Sequence, residues 1–172
     1  PALIRAMQDD DLAVILAAAK DLPNLIVTLA PESATLLQVT ALAAAGVNVS
    51  LGHSDCTAAT AREYVDAGAR MATHLFNAMS QITQREAGLV GAVLDDARIS
   101  AGLIADGFHV APEVLRLALR LNPQLFLVSD AMSTVGSDLT KFTLNGREIF
   151  RAGGRLTLAD GTLAGADLTL PQ

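Results

Sequence analysis

The chain has 172 residues, a formal net charge of −6 and a sequence pI near 4.9. Hydrophobic residues make up 51% and mean hydropathy is +0.40, which suits one good-sized domain with strands buried on both faces. No basic run is present to meet nucleic acid or an anionic membrane, and no apolar run reaches the roughly 18 residues of a membrane span, so neither partner is expected.

Taken in chain order, "DDDLAVILAAAKDL" predicts a helix with an acidic start at Asp9 to Asp11. "NLIVTLAPE" is a short β-branched run stopped by Pro31, so it predicts a buried strand. "SATLLQVTALAAAG" predicts a helix capped by Ser33 and stopped at Gly46. The cycle then repeats: strand "VNVSLGH", helix "DCTAATAREYVDAG", strand "RMATHLF". After a longer segment through Arg85 and Gly91 come strand "ISAGLIADG", helix "APEVLRLALRL" with Pro112 in its first turn, and strand "LFLVSDAM". Strands alternating with helices at this spacing predict a parallel sheet with helical crossovers. No Gly-x-Gly-x-x-Gly follows any strand, so a dinucleotide fold lacks its fingerprint. From Lys141 the pattern changes to hairpins, turning at Asn145-Gly146 and Asp160-Gly161, which predicts a separate, smaller antiparallel sheet. The expected division is residues 1–140 and 141–172.

The polar residues fall at strand ends. His53 ends the second strand, His74 the third and Asp130 the fifth; Asp106 and His109 follow the fourth. In parallel α/β sheets and barrels those ends share the face where ligands bind. Histidines 21 positions apart cannot share one helix turn, but they suit metal ligands on neighbouring strands. Singly, each residue has a plainer use. A lone histidine after a strand is commonly a loop or core residue, and Asp130 or Asn77 can form a turn. Cys56, placed in the first turn of a helix, reads as a packing residue, and Arg85-Glu86 as a solvated pair. A single cysteine also makes no internal disulfide, which suits a reducing, cytoplasmic setting. Periodicity and placement together support an α/β enzyme with a possible metal.

The segments "VTLAPE", "GHSDCT", "ATHLFNAM", "REAGLVGA", "IADGFHV", "LVSDAM" and "GTLAGADLTL" resemble, in order, those of the N-acetylglucosamine-6-phosphate deacetylase family of the amidohydrolase superfamily. The resemblance runs from about Ile26 to Leu170. It implies an α/β fold: part of a (β/α)8 TIM-like barrel, about strands four to eight, plus part of a small β-domain. It implies hydrolysis of N-acetylglucosamine 6-phosphate to glucosamine 6-phosphate and acetate, in amino-sugar catabolism. His53 and His74 match the family's metal ligands, and Asp130 its catalytic aspartate. Asn77, Ala78, Arg85 and His109 match its sugar-phosphate contacts. Asp106, Gly107 and Phe108 lie in the same substrate loop, and Leu163, Ala164 and Gly165 in a tail segment that closes over the substrate. The implied cofactor is a divalent metal, most commonly zinc, with iron, cobalt or manganese as alternatives. The implied assembly is a homodimer.

The sequence also departs from that family. Its third metal ligand, a glutamate on an earlier strand, and its oxyanion-side histidine have no counterpart here; Glu32 is the nearest carboxylate but does not match. Ala87 and Ala166 replace a usual proline and a usual small hydroxyl residue. The expectation is a central, inactive piece of such an enzyme, with weak or absent metal binding, no useful activity and open sheet edges prone to association. Two other readings compete: another amidohydrolase, deaminase- or dihydroorotase-like, and a non-catalytic phosphosugar-binding scaffold.

Overall fold

The computed structural model describes residues 4–170. A first helix, α1 (Asp9–Asp21), starts at a capping box in which the Gln8 N–H donates to Asp11. Five strands follow: β1 (Ile26–Leu29), β2 (Asn48–Leu51), β3 (Met71–Ala72), β4 (Ser100–Ile104) and β5 (Leu125–Val128). All pair in parallel, and their order in the sheet is their order in the chain. The returns are helical: α2 (Leu36–Ala44), α3 (Ala58–Asp66), α4 (Gly88–Asp95) and α5 (Pro112–Leu121). A parallel neighbour can be reached only by such a crossover.

Side chains alternate across each strand, so each strand has two fates. Leu29, Val49, Leu51, Ala72 and Leu103 face the helices and join one core with Val39, Leu42, Val65, Leu89 and Val93. The opposite face carries Ile26, Thr28, Ser50, Thr73 and Phe126, which border a cavity of about 230 Å³. Among the described residues no helix covers that face, and Ile26 keeps 57% of its surface exposed.

Local chemistry explains where the elements differ from expectation. Helix α2 is capped by Thr35, whose hydroxyl accepts from the Gln38 N–H while Gln38 reaches back to the Thr35 N–H. Ser33 instead closes the preceding turn onto Ala30 O. Helix α3 is capped by Thr57, so Cys56 lies just ahead of it, buried, and burial pushes its thiol pKa up. Its packing role stands. The longer segment after β3, given no element from the sequence, contains α4, buried along most of its length. β3 itself shrinks to two residues.

The tail is an antiparallel sheet of β6 (Lys141–Leu144), β7 (Arg147–Ala152), β8 (Arg155–Thr157) and β9 (Leu163–Ala166), in sequence order. Asn145 and Gly146 turn with φ of 51° and 76°, as a two-residue hairpin requires. A third tight turn, Gly153-Gly154, joins β7 to β8. The buried Asp167 carboxylate ties this sheet down, accepting from Arg151 Nε at 2.6 Å and from the Thr134 hydroxyl at 3.2 Å.

Candidate active site

The sheet register carries the site. His53, His74, Asp106 and Asp130 each stand two residues past the end of their strand, β2, β3, β4 and β5. Leu51 pairs with Ala72, so the next steps bring His53 beside His74. Their Nε2 atoms are 2.9 Å apart and the rings meet edge to face, 4.7 Å between centroids. Likewise Ile104 pairs with Val128, ahead of Asp106 and Asp130. His53, His74 and Asp130 all hold left-handed backbones, with φ of 52°, 34° and 49°. Such strain in non-glycine residues concentrates at functional sites.

His53, His74 and Asp130 line one cavity of about 740 Å³. Its wall also includes Thr28 and Thr73, and the Arg5–Asp11 ion pair closes one side with contacts of 2.6 and 2.7 Å. Partial desolvation of its ring lowers the His53 pKa, and neighbouring His74 lowers it further, against the opposing pull of Asp130. His53 is therefore neutral near pH 7, with a lone pair to offer. His74 Nδ1 is buried without a hydrogen-bond partner among the described residues. The two Nε2 atoms approach each other beside the shared cavity.

The donor set suits a divalent cation in part. Two imidazole nitrogens converge, as metal-binding histidines do, and a carboxylate lies on the same cavity wall. Among the described residues, no three His, Cys, Asp or Glu side chains form a metal-holding group.

The other expected residues are placed as follows. Asp106 does not line that cavity; its carboxylate accepts from the N–H groups of Phe108 and His109 at 2.9 Å and from His109 Nδ1 at 2.7 Å. His109 was expected at the common rim, but it too is off this cavity wall. Asp106 holds the His109 ring through Nδ1, so Nε2 is the end turned away from that contact. Burial raises the Asp106 pKa, but the three donors outweigh it and the net shift is downward. Gly107 turns this loop with φ of 76°. Phe108 packs under the Arg155 guanidinium, 4.4 Å from its ring centroid, so the small sheet touches the loop.

Ala78 shares a smaller cavity with His53, Asp55 and Gln81. The Asn77 N–H donates to His74 O, and its Nδ2 donates to Leu75 O. The Ala78 N–H carries no such bond among the described residues. Arg85 is exposed ahead of α4 and lines none of these cavities. Leu163, Ala164 and Gly165 lie on β9, which docks beside Asp130: the Ala166 N–H donates to Asp130 O at 2.9 Å. A Cβ at Gly165 would sit 2.3 Å from the Met132 side chain, so only glycine allows this approach.

Two features went unread in the sequence. Thr73 Oγ1 bonds both Thr28 Oγ1 (2.8 Å) and Ser50 Oγ (2.7 Å), a hydroxyl chain on the open face next to the histidines. Its signal was a hydroxyl inside each apolar run, at the position alternation sends to the open face. The second is the Arg5–Asp11 wall, six positions apart in a segment read only for its helix.

No family model matches the chain. It is 40% identical over 172 residues to the N-acetylgalactosamine-6-phosphate deacetylase of Shewanella sp. (strain ANA-3), covering 99% of this chain and 43% of that protein. It is 42% identical over 154 residues to the N-acetylglucosamine-6-phosphate deacetylase of Bos taurus, covering 85% and 38%. Among solved structures, the N-acetylglucosamine-6-phosphate deacetylase of Pasteurella multocida superposes with a TM-score of 0.91 at 36% identity, over 96% of this chain and 44% of that one. An aspartate-to-alanine variant of the Mycobacterium smegmatis enzyme, in complex with N-acetyl-D-glucosamine-6-phosphate, superposes with a TM-score of 0.90 at 34% identity. The chain thus spans less than half the length of the relatives it matches.

Proposed function

From the premise that this chain is a relative of the N-acetylglucosamine-6-phosphate deacetylases over part of their length, we propose that it carries part of a deacetylase site for an N-acetylated hexosamine 6-phosphate. The carrying observation is the convergence of His53, His74 and Asp130 on one cavity, each from the end of a different parallel strand. In this reading the sheet is an arc of a (β/α)8 barrel, and residues 141–172 belong to a small β-domain.

His53 and His74 would hold a divalent cation, zinc by preference, through Nε2. Such a cation supplies Lewis acidity and lowers the pKa of water towards about 7. Asp130 accepts a proton from the attacking water as its oxygen bonds the acetamido carbon. When the C–N bond breaks, Asp130 gives that proton to the departing amine, so one carboxyl serves as base and then acid. The Ala78 N–H, the Asn77 side chain and the Arg85 guanidinium are the phosphate contacts. Arg85 acts from its own chain or, in the expected homodimer, across to a neighbour. Held remotely, the phosphate keeps the acetamido group in line for attack. Asp106 holds the His109 ring so that Nε2 can accept a sugar hydroxyl, with Gly107 and Phe108 shaping the loop. Leu163, Ala164 and Gly165 close the site beside Asp130. With two imidazole donors, the chain by itself binds the cation weakly and turns over little substrate. A buried, free Cys56 supports a cytoplasmic setting.

A second reading concerns the sugar: a galactosamine-phosphate deacetylase matches 99% of this chain, so the 4-epimer is an alternative substrate. The test is acetate release by the Pasteurella enzyme with this chain grafted over the matching segment. Phosphorylated N-acetylglucosamine, its galacto epimer and the unphosphorylated sugars are compared. Equal turnover without phosphate would remove the phosphosugar assignment. Intact turnover in Asp130→Asn would remove the base.

A further inference from the structure

Glu86 belongs to no part of the mechanism above, and beside Arg85 it reads as half of a solvated pair. The structure gives its carboxylate a different task. Glu86 Oε1 accepts from the Ala58 N–H at 2.8 Å and from the Gly88 N–H at 2.9 Å. Ala58 is the first residue of α3 and Gly88 the first of α4. One oxygen therefore sits on the positive ends of the two helices that follow the two histidine loops. The same N–H donors hold the Glu86 carboxyl below its ordinary pKa.

Ser80 makes a second stitch between the same loops. Its hydroxyl donates to Cys56 O at 2.6 Å and accepts from the Leu89 N–H at 2.7 Å. Between the stitches the backbones pair directly: the Ser54 N–H donates to Ala78 O and the Ser80 N–H to Ser54 O. This isolated parallel bridge lies beyond the histidines, four residues out of the β2–β3 register. His53 lies immediately before Ser54, and the turn after His74 is closed by the Asn77 N–H on His74 O.

We propose that Glu86 and Ser80 are positioning residues that fix the mutual placement of His53 and His74. The geometric claim stands without any cation; its consequence for cation affinity rests on the deacetylase reading. Glu86→Gln keeps an acceptor oxygen in place, whereas Glu86→Ala and Ser80→Ala remove their stitches.

The chain has three histidines, so histidine-labelled protein gives a resolvable aromatic spectrum. A nuclear Overhauser contact between the His53 and His74 rings is expected in the parent chain and in Glu86→Gln. It should be lost in Glu86→Ala and Ser80→Ala below their melting temperatures, with His109 signals unmoved. Affinity for Zn2+ alone should fall roughly 10- to 100-fold in those two variants, the range for residues that orient metal ligands. If Glu86→Ala does not fold, Ser80→Ala carries the test. Parent-like ring contacts in every folded variant overturn the proposal. A parent chain that ignores Zn2+ but shows the expected loss of ring contact overturns the metal assignment and leaves the positioning role standing.

Discussion

In the proposed deacetylase reading, two imidazoles with Nε2 atoms 2.9 Å apart would set the strength of a cation site. Structural zinc sites with four protein ligands bind with about 10–16 kcal/mol. Half that donor set gives about 5–8 kcal/mol, a Kd of roughly 10⁻⁴ to 10⁻⁶ M. His53→Ala leaves one imidazole, so binding should retreat to about millimolar or weaker. Because the His53 pKa is lowered, its ring need shed few protons at neutral pH. Calorimetric titration of Zn2+ into the chain, repeated in two buffers of different ionisation heat, reads affinity, stoichiometry and proton release. One-to-one nanomolar binding would refute the two-donor account, because further protein ligands would have to converge. An unchanged isotherm in His53→Ala would place the cation elsewhere.

Asp106→Asn should destabilise the chain by about 1–3 kcal/mol, the range for buried hydrogen bonds to a charged group. Since the folded pKa of Asp106 lies below the ordinary carboxyl value of 3.8, that stabilisation is present above pH 3.8 and lost as pH falls through the lower folded value. The difference in urea midpoint between the variant and the parent should therefore narrow only below pH 3.8. Leu51→Ala, at a fully buried strand position beside the site, should cost about 2–5 kcal/mol by urea unfolding, and a cost near zero would deny it a core role. Asp130→Gly should outlast Asp130→Ala by about 1 kcal/mol in thermal unfolding, because both lose the carboxylate but only glycine accepts φ of 49° freely. Equal melting would mean that the backbone there relaxes.

The sheet and the three cavity residues were legible because both rest on short-range pattern. β-branched runs marked β1, β2 and β4, and a polar residue just past each strand marked the rim. Thr35 was passed over for Ser33, although Gln38 stands three residues on from Thr35, the capping-box spacing, whereas Ser33 has Leu36 there. α4 was not legible. "GLVGAVLD" contains two glycines and two valines and has no side-chain cap, so propensity argues against it. Burial between its neighbours and the Ser80 and Glu86 contacts at its first turn override that preference. Those contacts join residues 24 and 28 positions apart where they reach the His53 loop, in Ser80–Cys56 and Ala58–Glu86, and no local pattern encodes them. At His109 the strand-end position was legible, but the three-residue reach back to Asp106 that holds its Nδ1 was not.

Left-handed backbone ties these observations together. Six non-glycine described residues have positive φ, and Asn145 occupies a hairpin turn where that conformation is ordinary. The other five, His53, His74, Phe76, Ala78 and Asp130, all lie just past the ends of β2, β3 and β5. Each costs about 1–2 kcal/mol, so the sequence alone would not hold them there. Contacts from other segments do: the Ser54–Met79 bridge and its stitches beside the histidines, and β9 against Asp130. A site kept strained by distant contacts will lose its geometry when those contacts loosen, before the core of Val49, Leu51 and Leu103 gives way. For that reason ring-to-ring distance is a sharper probe of this site than melting temperature.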